Sequence, residues 1–274
     1  MARTRIPEKE ATMLLADAPT ITPSPTSSPF TQATDFVRRF QPGGTQHPVP
    51  RCSQCAISPL CNPCELSAEE LAQVDSLVQE VRTVQRGASL YRANDPFHNV
   101  YILRSGSFKT VVMHREGREQ VTGFQIAGEM LGLDGIVGGQ HLCGAIALER
   151  STVCVIPFES LEDLCREIKP MQRHLHKIMS REIVRESNMI MLLGTMRAEQ
   201  RVATFLLNLA DRYGTRGYSA TEFNMRMTRS EIGSYLGITL ETASRMFSRL
   251  QQERLVQARG KQIRILDSGA LARL

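Results

Sequence analysis

The sequence contains no apolar run that approaches the roughly 18 residues needed to span a membrane. The only apolar patch near its start, Met13–Ala16, is too short for the core of a signal peptide. We therefore expect a cytoplasmic protein that does not associate with a membrane and whose thiols stay reduced. In that setting the seven cysteines are expected to be metal ligands, redox groups or buried apolar residues rather than disulfide partners.

Catalytic arrangements are missing as well. The six histidines are scattered, and His174 and His176 lie on a predicted helix without a carboxylate partner at metal spacing. The glycines of 135–139 fall in a predicted β region, where turns explain them better than a phosphate cradle does. No Ser/His/Asp arrangement is apparent, so we expect a protein that is not an enzyme.

Composition and periodicity divide the 274 residues into five segments. Residues 1–50 are rich in proline, serine and threonine and are predicted to be a disordered tail. Residues 51–66 carry a dense cysteine cluster. Residues 67–168 form the next segment. A short helix is predicted from Ser67, and from 84 to about 157 short apolar runs alternate with turn residues at intervals of about ten, which predicts an all-β barrel or roll. Residues 169–196 predict one long helix, and 197–274 a compact helix-turn-helix pattern, so the expected fold class is α+β.

The long predicted helix carries an apolar stripe at coiled-coil spacing. Its members are Leu175, Met179, Ile183, Ile190 and Leu193, and the same spacing places Glu186 among them. The alternative is a helix packed only on its own domain. A carboxylate would be costly in an intramolecular core, whereas at a two-fold seam it acts as an electrostatic brake. Glu186 therefore favours a homodimer seam.

Residues 228–250 fit a helix-turn-helix. Thr228 and Glu231 form a capping box for the first helix, Gly237 supplies the turn, and Thr239 caps the second helix. Residues 256–266 follow as a hairpin wing. The segment 226–274 has nine Lys/Arg against four Asp/Glu, which suits a polyanionic partner.

One face of the second helix has the chemistry of base recognition. Arg245 can donate two hydrogen bonds to guanine, Glu241 can accept from cytosine, and Ser244 is adaptable. An ordinary amphipathic helix pair is the alternative, but it explains neither the capping box nor the basic surplus. The segment is predicted to bind double-stranded DNA.

Four cysteines lie within thirteen residues, separated by two, five and two residues: Cys52, Cys55, Cys61 and Cys64. Structural zinc, an iron–sulfur cluster and a metal-free redox pair all remain possible from these residues. The two Cys-x-x-Cys pairs are closer together than in most zinc ribbons, which favours a cluster. Spacing does not decide which cysteines bind. Cys143 and Cys165 are interpreted as small buried apolar residues.

Taken in order, five motifs resemble those of the fumarate–nitrate reduction (FNR/ANR) regulators of the CRP/FNR superfamily. They are Cys52-x2-Cys55-x5-Cys61, Ile126-Ala-Gly-Glu-Met-Leu-Gly132, Cys154-Val-Ile-Pro-Phe158, Met227-Thr-Arg-Ser-Glu-Ile-Gly-Ser-Tyr-Leu-Gly237 and Glu241-Thr-Ala-Ser-Arg245. The resemblance covers about residues 51–274. It implies a β-roll sensory domain like the cyclic-nucleotide-binding jelly roll, a long dimerisation helix and a winged helix-turn-helix.

The resemblance also implies a cofactor and its ligands. Cys52, Cys55, Cys61 and Cys154 would hold a [4Fe–4S] cluster that oxygen degrades, and Cys64 would be spare. Dimerisation and DNA binding would then be anaerobic properties.

By the same resemblance, Glu241, Ser244 and Arg245 would recognise TTGAT half-sites, and Glu186 would keep cluster-free subunits apart. RNA polymerase would be a further partner, and genes of anaerobic metabolism would be activated or repressed. No cyclic nucleotide is expected, because residues 141–147 lack the arginine that holds the phosphate in nucleotide-binding relatives. The alternative is a regulator of the same fold with structural zinc at its cysteines and a different effector.

Overall fold

The structure is a computed structural model and describes residues 51–63, 65–114 and 117–274. The predicted disordered tail, 1–50, and the predicted spare cysteine, Cys64, lie outside the described residues.

The N-terminal half begins with two helices and continues as strands. Its elements are α1 (Ser58–Cys61), α2 (Ala68–Leu77), β1 (Glu80–Val84), β2 (Ser89–Tyr91), β3 (Asn99–Ser105), β4 (Ser107–Met113), β5 (Glu119–Ile126), β6 (Met130–Leu131), β7 (Gly144–Ala147) and β8 (Ser151–Pro157). α2 starts at a capping box, in which the Ser67 hydroxyl accepts from the backbone N–H of Glu70, and the Glu70 carboxylate accepts from the N–H of Ser67.

These strands form two antiparallel four-stranded sheets, in the orders β1-β8-β3-β6 and β2-β7-β4-β5. Alternate residues point inward, so that the side chains of Leu103, Phe108 and Val153 are fully buried between the sheets. Two sheets packed around one apolar core make a β-roll, as the sequence predicted.

Two helices follow the roll, α3 (Phe158–Glu167) and the long α4 (Lys169–Thr195). The C-terminal part contains α5 (Ala198–Gly214), β9 (Glu222–Asn224), α6 (Arg229–Leu236), α7 (Leu240–Gln252), β10 (Val256–Arg259), β11 (Gln262–Ile265) and α8 (Ser268–Ala272). β9, β10 and β11 form a small antiparallel sheet, in the order β10-β11-β9, beside the helix-turn-helix. The α+β class and the winged helix-turn-helix are therefore confirmed.

The C-terminal part packs directly on strand β5 of the roll. The ring of Phe124 on β5 contacts Tyr235 of α6 and Phe205 of α5, with centroids 5.1 and 5.9 Å apart. The backbone N–H of Val121 donates to the Ser234 hydroxyl over 2.9 Å. Sensory and DNA-binding parts thus share one continuous core. In the part of the chain that the structure describes, no helix is both long and apolar enough to cross a membrane.

Candidate functional sites: a thiol cavity, a helical seam and a DNA-reading face

Four cysteines from two separated stretches of chain line one cavity. Cys52 opens a short 3-10 turn, Cys55 follows that turn, Cys61 is the last residue of α1, and Cys154 lies on β8. The remaining walls are largely apolar and come from α2, β3, β6, β8, α3 and α4: Val74, Leu77, Val78, Ile102, Met130, Ile156, Leu161, Met171, Leu175 and Ile178. The sequence-predicted ligands are therefore brought together.

Two contacts hold the cysteine-bearing loop against the roll. The Asp75 carboxylate of α2 accepts hydrogen bonds from the backbone N–H groups of Cys52 and Ser53, and from the Ser53 hydroxyl over 3.2 Å. On the other side, Leu60 packs on the glycine of the β5–β6 turn. A Cβ placed on Gly128 would lie 2.9 Å from the Leu60 Cβ, and Gly128 has φ +86°, so only glycine fits there without strain.

Burial disfavours ionisation of three of the cavity thiols, Cys52, Cys61 and Cys154. Burial raises the pKa of Cys52 to about 11, with help from the nearby Asp75 carboxylate and from neighbouring thiols. Burial raises the pKa of Cys61 to about 12, and the fields of Cys154, Cys55 and Cys52 act in the same direction. Burial also raises the pKa of Cys154. A bound positive centre would offset this penalty and favour the thiolate forms of these three residues.

The donor set fits a thiophilic inorganic group. Soft sulfur donors in an apolar, half-buried site suit zinc or an iron–sulfur cluster and do not suit magnesium or calcium. Among the described residues, no three Cys, His, Asp or Glu side chains are grouped closely enough to hold a single metal ion. The four thiols thus border a shared space rather than one point.

Helix α4 forms part of the same cavity through a residue that the sequence did not single out as a site residue. His174 lines the thiol cavity together with Cys61, and its Nε2 is buried without a partner. Burial lowers the pKa of His174. In the sequence, the lack of a carboxylate partner for His174 argued only against a catalytic role, and no local pattern placed His174 near the cysteines. The helix that is predicted to carry the seam therefore also forms one wall of the thiol cavity.

The remaining cysteines lie outside the cavity. Cys165 is buried, as predicted. Cys143 is only partly buried and its Sγ is 3.4 Å from Oδ2 of Asp134, so it is a hydrogen-bonded residue rather than a purely apolar one. Asp134 also accepts from the backbone N–H groups of Leu142 and Cys143, over 2.8 and 3.1 Å. A carboxylate therefore lies against residues 142 and 143, within the stretch 141–147 that contains no arginine.

The apolar stripe of α4 is exposed. Ile183 and Ile190 are 67% and 72% exposed, and Met179 and Leu193 are each 38% exposed. Glu186 lies between them and is also exposed. Val184 and Met191, off this stripe, are exposed as well. Large apolar side chains rarely line an exposed helix face in a monomer, so the stripe is a candidate interface.

The helix-turn-helix is built by the predicted local interactions. Thr228 and Glu231 form the capping box of α6, Gly237 ends that helix with φ +62°, and Thr239 caps α7. On the inner side of α7, Ala243, Phe247 and Leu250 are buried, and the guanidinium of Arg229 stacks 3.4 Å above the Phe247 ring. The inner face therefore fixes the rotation of α7.

The predicted base-reading residues lie on the outer face of α7. Glu241 and Arg245 are exposed, and Ser244 is partly exposed. Sequence positions 241, 244 and 245 share one side of the helix because of its 3.6-residue period. No hydrogen bond or ion pair of the described structure occupies the guanidinium of Arg245.

Comparisons with known proteins agree with this architecture. Residues 81–168 match the family model of the cyclic nucleotide-binding domain, and residues 200–274 match the Crp-like helix-turn-helix domain. The transcriptional regulatory protein btr of Bordetella pertussis is 44% identical over 223 residues, or 81% of this chain and 92% of its own length. The fumarate and nitrate reduction regulatory protein of Escherichia coli K12 is 41% identical over 239 residues, or 87% of this chain and 94% of its own length. The solved structure of FixK2 from Bradyrhizobium japonicum superposes with a TM-score of 0.65 at 29% identity, covering 71% of this chain and 96% of FixK2.

Proposed function

This chain belongs to the FNR/Anr group of CRP/FNR transcription regulators, which are not enzymes, and we propose that it is an oxygen-responsive regulator controlled by a [4Fe–4S] cluster. Its Crp-like helix-turn-helix implies DNA binding, and regulators of this family are dimeric. The observation that carries the proposal is the sharing of one apolar cavity by four thiols from two separated stretches of chain.

The proposed ligands are Cys52, Cys55, Cys61 and Cys154. A cluster is larger than a single ion and tolerates closely spaced ligands plus one distant cysteine. The four thiols line one cavity, which supports a centre with soft sulfur ligands, and the short separation of the two Cys-x-x-Cys pairs favours a cluster over zinc. When bound, the cluster supplies an inorganic core that oxygen degrades. The apolar walls keep water from the sulfurs, and Asp75 orients the backbone of Cys52.

Helix α4 links the cavity to subunit pairing. Met171, His174 and Leu175 face the cavity, and the stripe from Met179 to Leu193 continues along the same helix. Any change that repacks the first part of α4 therefore alters the free energy of pairing along the rest. We assign the homodimer seam to Met179, Ile183, Glu186, Ile190 and Leu193, where the two Glu186 carboxylates oppose pairing.

DNA recognition is assigned to α7. In a dimer, two copies of α7 enter successive major grooves about 34 Å apart. Glu241, Ser244 and Arg245 then contact the bases of a TTGAT-type half-site. The proposed outcome is activation or repression of anaerobic-metabolism genes together with RNA polymerase. The proposed mechanism uses no cyclic nucleotide, because residues 141–147 contain no arginine to pair with a phosphate and the carboxylate of Asp134 lies against them.

Purification without oxygen tests the cofactor. The full chain is expected to be coloured and to release iron and sulfide, and sedimentation should show more dimer in the loaded than in the cofactor-free form. Cys154→Ser should lose the cofactor and weaken operator binding. The matched control is Cys143→Ser, which lies outside the cavity and should keep both.

A colourless protein that contains zinc and no sulfide would refute the cluster and leave a regulator of the same fold with structural zinc and another effector. Equal dimer fractions with and without cofactor would refute the linkage. Retained cofactor and unaltered operator affinity in Cys154→Ser would refute the ligand assignment.

A further inference from the structure

A buried carboxylate joins the sensory roll to both helical parts of the molecule. Glu129 lies in the turn between β5 and β6, and its side chain is only 10% exposed. It forms ion pairs with Arg212 of α5 over 2.6 Å, with Arg216 just beyond α5 over 2.8 Å, and with Arg185 of α4 over 3.6 Å. One side chain therefore contacts the roll, the dimerisation helix and the DNA-binding part at once.

Two of these arginines also donate hydrogen bonds to backbone carbonyls of the roll. Arg212 donates to the carbonyl of Phe124 over 2.6 Å, and Arg216 donates to the carbonyl of Ala127 over 2.5 Å. Glu129 itself accepts from the backbone N–H of Ile126 over 3.1 Å. These hydrogen bonds fix the orientation of the two guanidinium groups and of the carboxylate that they contact. We call the cluster of Glu129, Arg185, Arg212 and Arg216 the joint.

The joint contains one carboxylate, Glu129, that faces three guanidinium groups. Burial alone would raise the pKa of Glu129, but the fields of Arg212 and Arg185 outweigh burial and lower it. The carboxylate is therefore ionised at neutral pH and faces three guanidinium groups. Removing its charge would leave three guanidinium groups close together, of which Arg185 also pairs with Glu182 over 3.1 Å.

The joint lies directly beside the cysteine-bearing loop. Gly128 packs on Leu60 of α1, within the cysteine-bearing loop, and Met130 lines the thiol cavity itself. The positive charge of Arg216 also acts on the Cys61 thiol, where it lowers the pKa and so works against the effect of burial. A shift of the loop is therefore felt at the turn that holds Glu129.

We propose that Glu129 is a positioning residue that sets the orientation of the DNA-binding part relative to the sensory roll and thereby passes the state of the cysteine loop to α5. The alternative is a plain structural staple that adds stability and has no effect on recognition. The inference rests on the proposed function only in that the chain binds a duplex operator.

Three variants of the full chain, prepared without oxygen, separate these readings. Glu129→Gln removes the charge and keeps the shape, while Glu129→Asp keeps the charge on a shorter side chain. The matched control is Glu149→Gln, because Glu149 also pairs across the two parts, with Arg226 over 2.9 Å, but at a more exposed position, where the two side chains are 27% and 42% exposed. Measurements are iron and sulfide content, dimer fraction and operator affinity by fluorescence anisotropy.

Glu129→Gln is expected to lower operator affinity by about tenfold or more, within the usual range of coupling between sites, at unchanged cofactor content and dimer fraction. Glu129→Asp should recover most of that loss. Glu149→Gln should change affinity by less than about threefold, as exposed pairs do.

The proposal is overturned if Glu129→Gln binds the operator as wild type does, if it binds more tightly, or if Glu149→Gln loses as much affinity. Should Glu129→Gln fail to fold, Arg216→Gln removes one partner from the other side, and unchanged affinity there would equally overturn the proposal. If wild type binds the operator without any cluster, the proposed oxygen switch fails, but the comparison of Glu129→Gln with wild type still decides this inference.

Discussion

Truncation of one seam residue gives a quantitative test of subunit pairing. Ile190→Ala removes three side-chain carbons, and each buried methylene-sized group contributes roughly 0.8 kcal/mol. Ile190 is 72% exposed in the single chain. If the seam covers that exposed part, the loss is roughly 1.7 kcal/mol per subunit and about 3.5 kcal/mol per dimer.

Each 1.4 kcal/mol corresponds to a tenfold change, so the dimer dissociation constant should rise by about 300-fold. Sedimentation equilibrium of the cofactor-loaded protein in oxygen-free buffer measures this constant directly. Circular dichroism checks that α4 stays helical, as expected for a change to the residue with the highest helix propensity.

The matched control is Met191→Ala. Met191 is 53% exposed on the same helix but points about 100° away from Ile190. It is expected to leave the dissociation constant nearly unchanged. Equal shifts for the two variants, or no shift for Ile190→Ala, would show that the stripe from Met179 to Leu193 is not the seam.

Four further outcomes are expected. Arg245→Ala should lower affinity for a matched half-site by roughly 1–3 kcal/mol and reduce discrimination at one base pair, which titration of matched and altered duplexes will reveal; equal loss on both duplexes would mean a phosphate contact instead. Gly128→Ala should displace the cysteine loop and lower cofactor retention, whereas Gly87→Ala, at a similar φ of +79° but with open space around its Cβ, should not; equal retention would refute a steric role for the turn. Glu186→Ala should raise the dimer fraction of cofactor-free protein in low salt by removing like charges across the seam, and no rise would argue against the brake. Because the pKa of Glu129 is lowered, its contribution to stability is complete above the ordinary pKa of 4.5 and is lost as the pH falls through the lowered pKa. Acidification below pH 4.5 should therefore reduce the melting temperature of wild type more than that of Glu129→Gln. Parallel decreases in the two melting temperatures would contradict the charged state assigned to Glu129.

The contacts that hold the cysteine loop and the joint could not have been found by pattern. The sequence offered no site role for His174, which lacks a carboxylate partner, yet it lines the thiol cavity beside Cys61. Glu129 lay inside a recognised motif with no role attached, and its three arginines follow it in sequence by 56 to 87 residues. No periodicity or cap connects residues so far apart, because the contact exists only after the sheet and helices have packed.

Local physics determined much of this protein from its sequence alone. The capping box of Thr228 and Glu231, the left-handed turn at Gly237 and the inward face of α7 depend on hydrogen bonds and side-chain directions within a few residues, so they could be deduced in advance. Only the tertiary structure decided which residues surround the thiols, that α4 borders both the cavity and the exposed stripe, and that Glu129 meets three arginines. Those relations depend on burial and on the meeting of distant segments, and the sequence carries no local record of either.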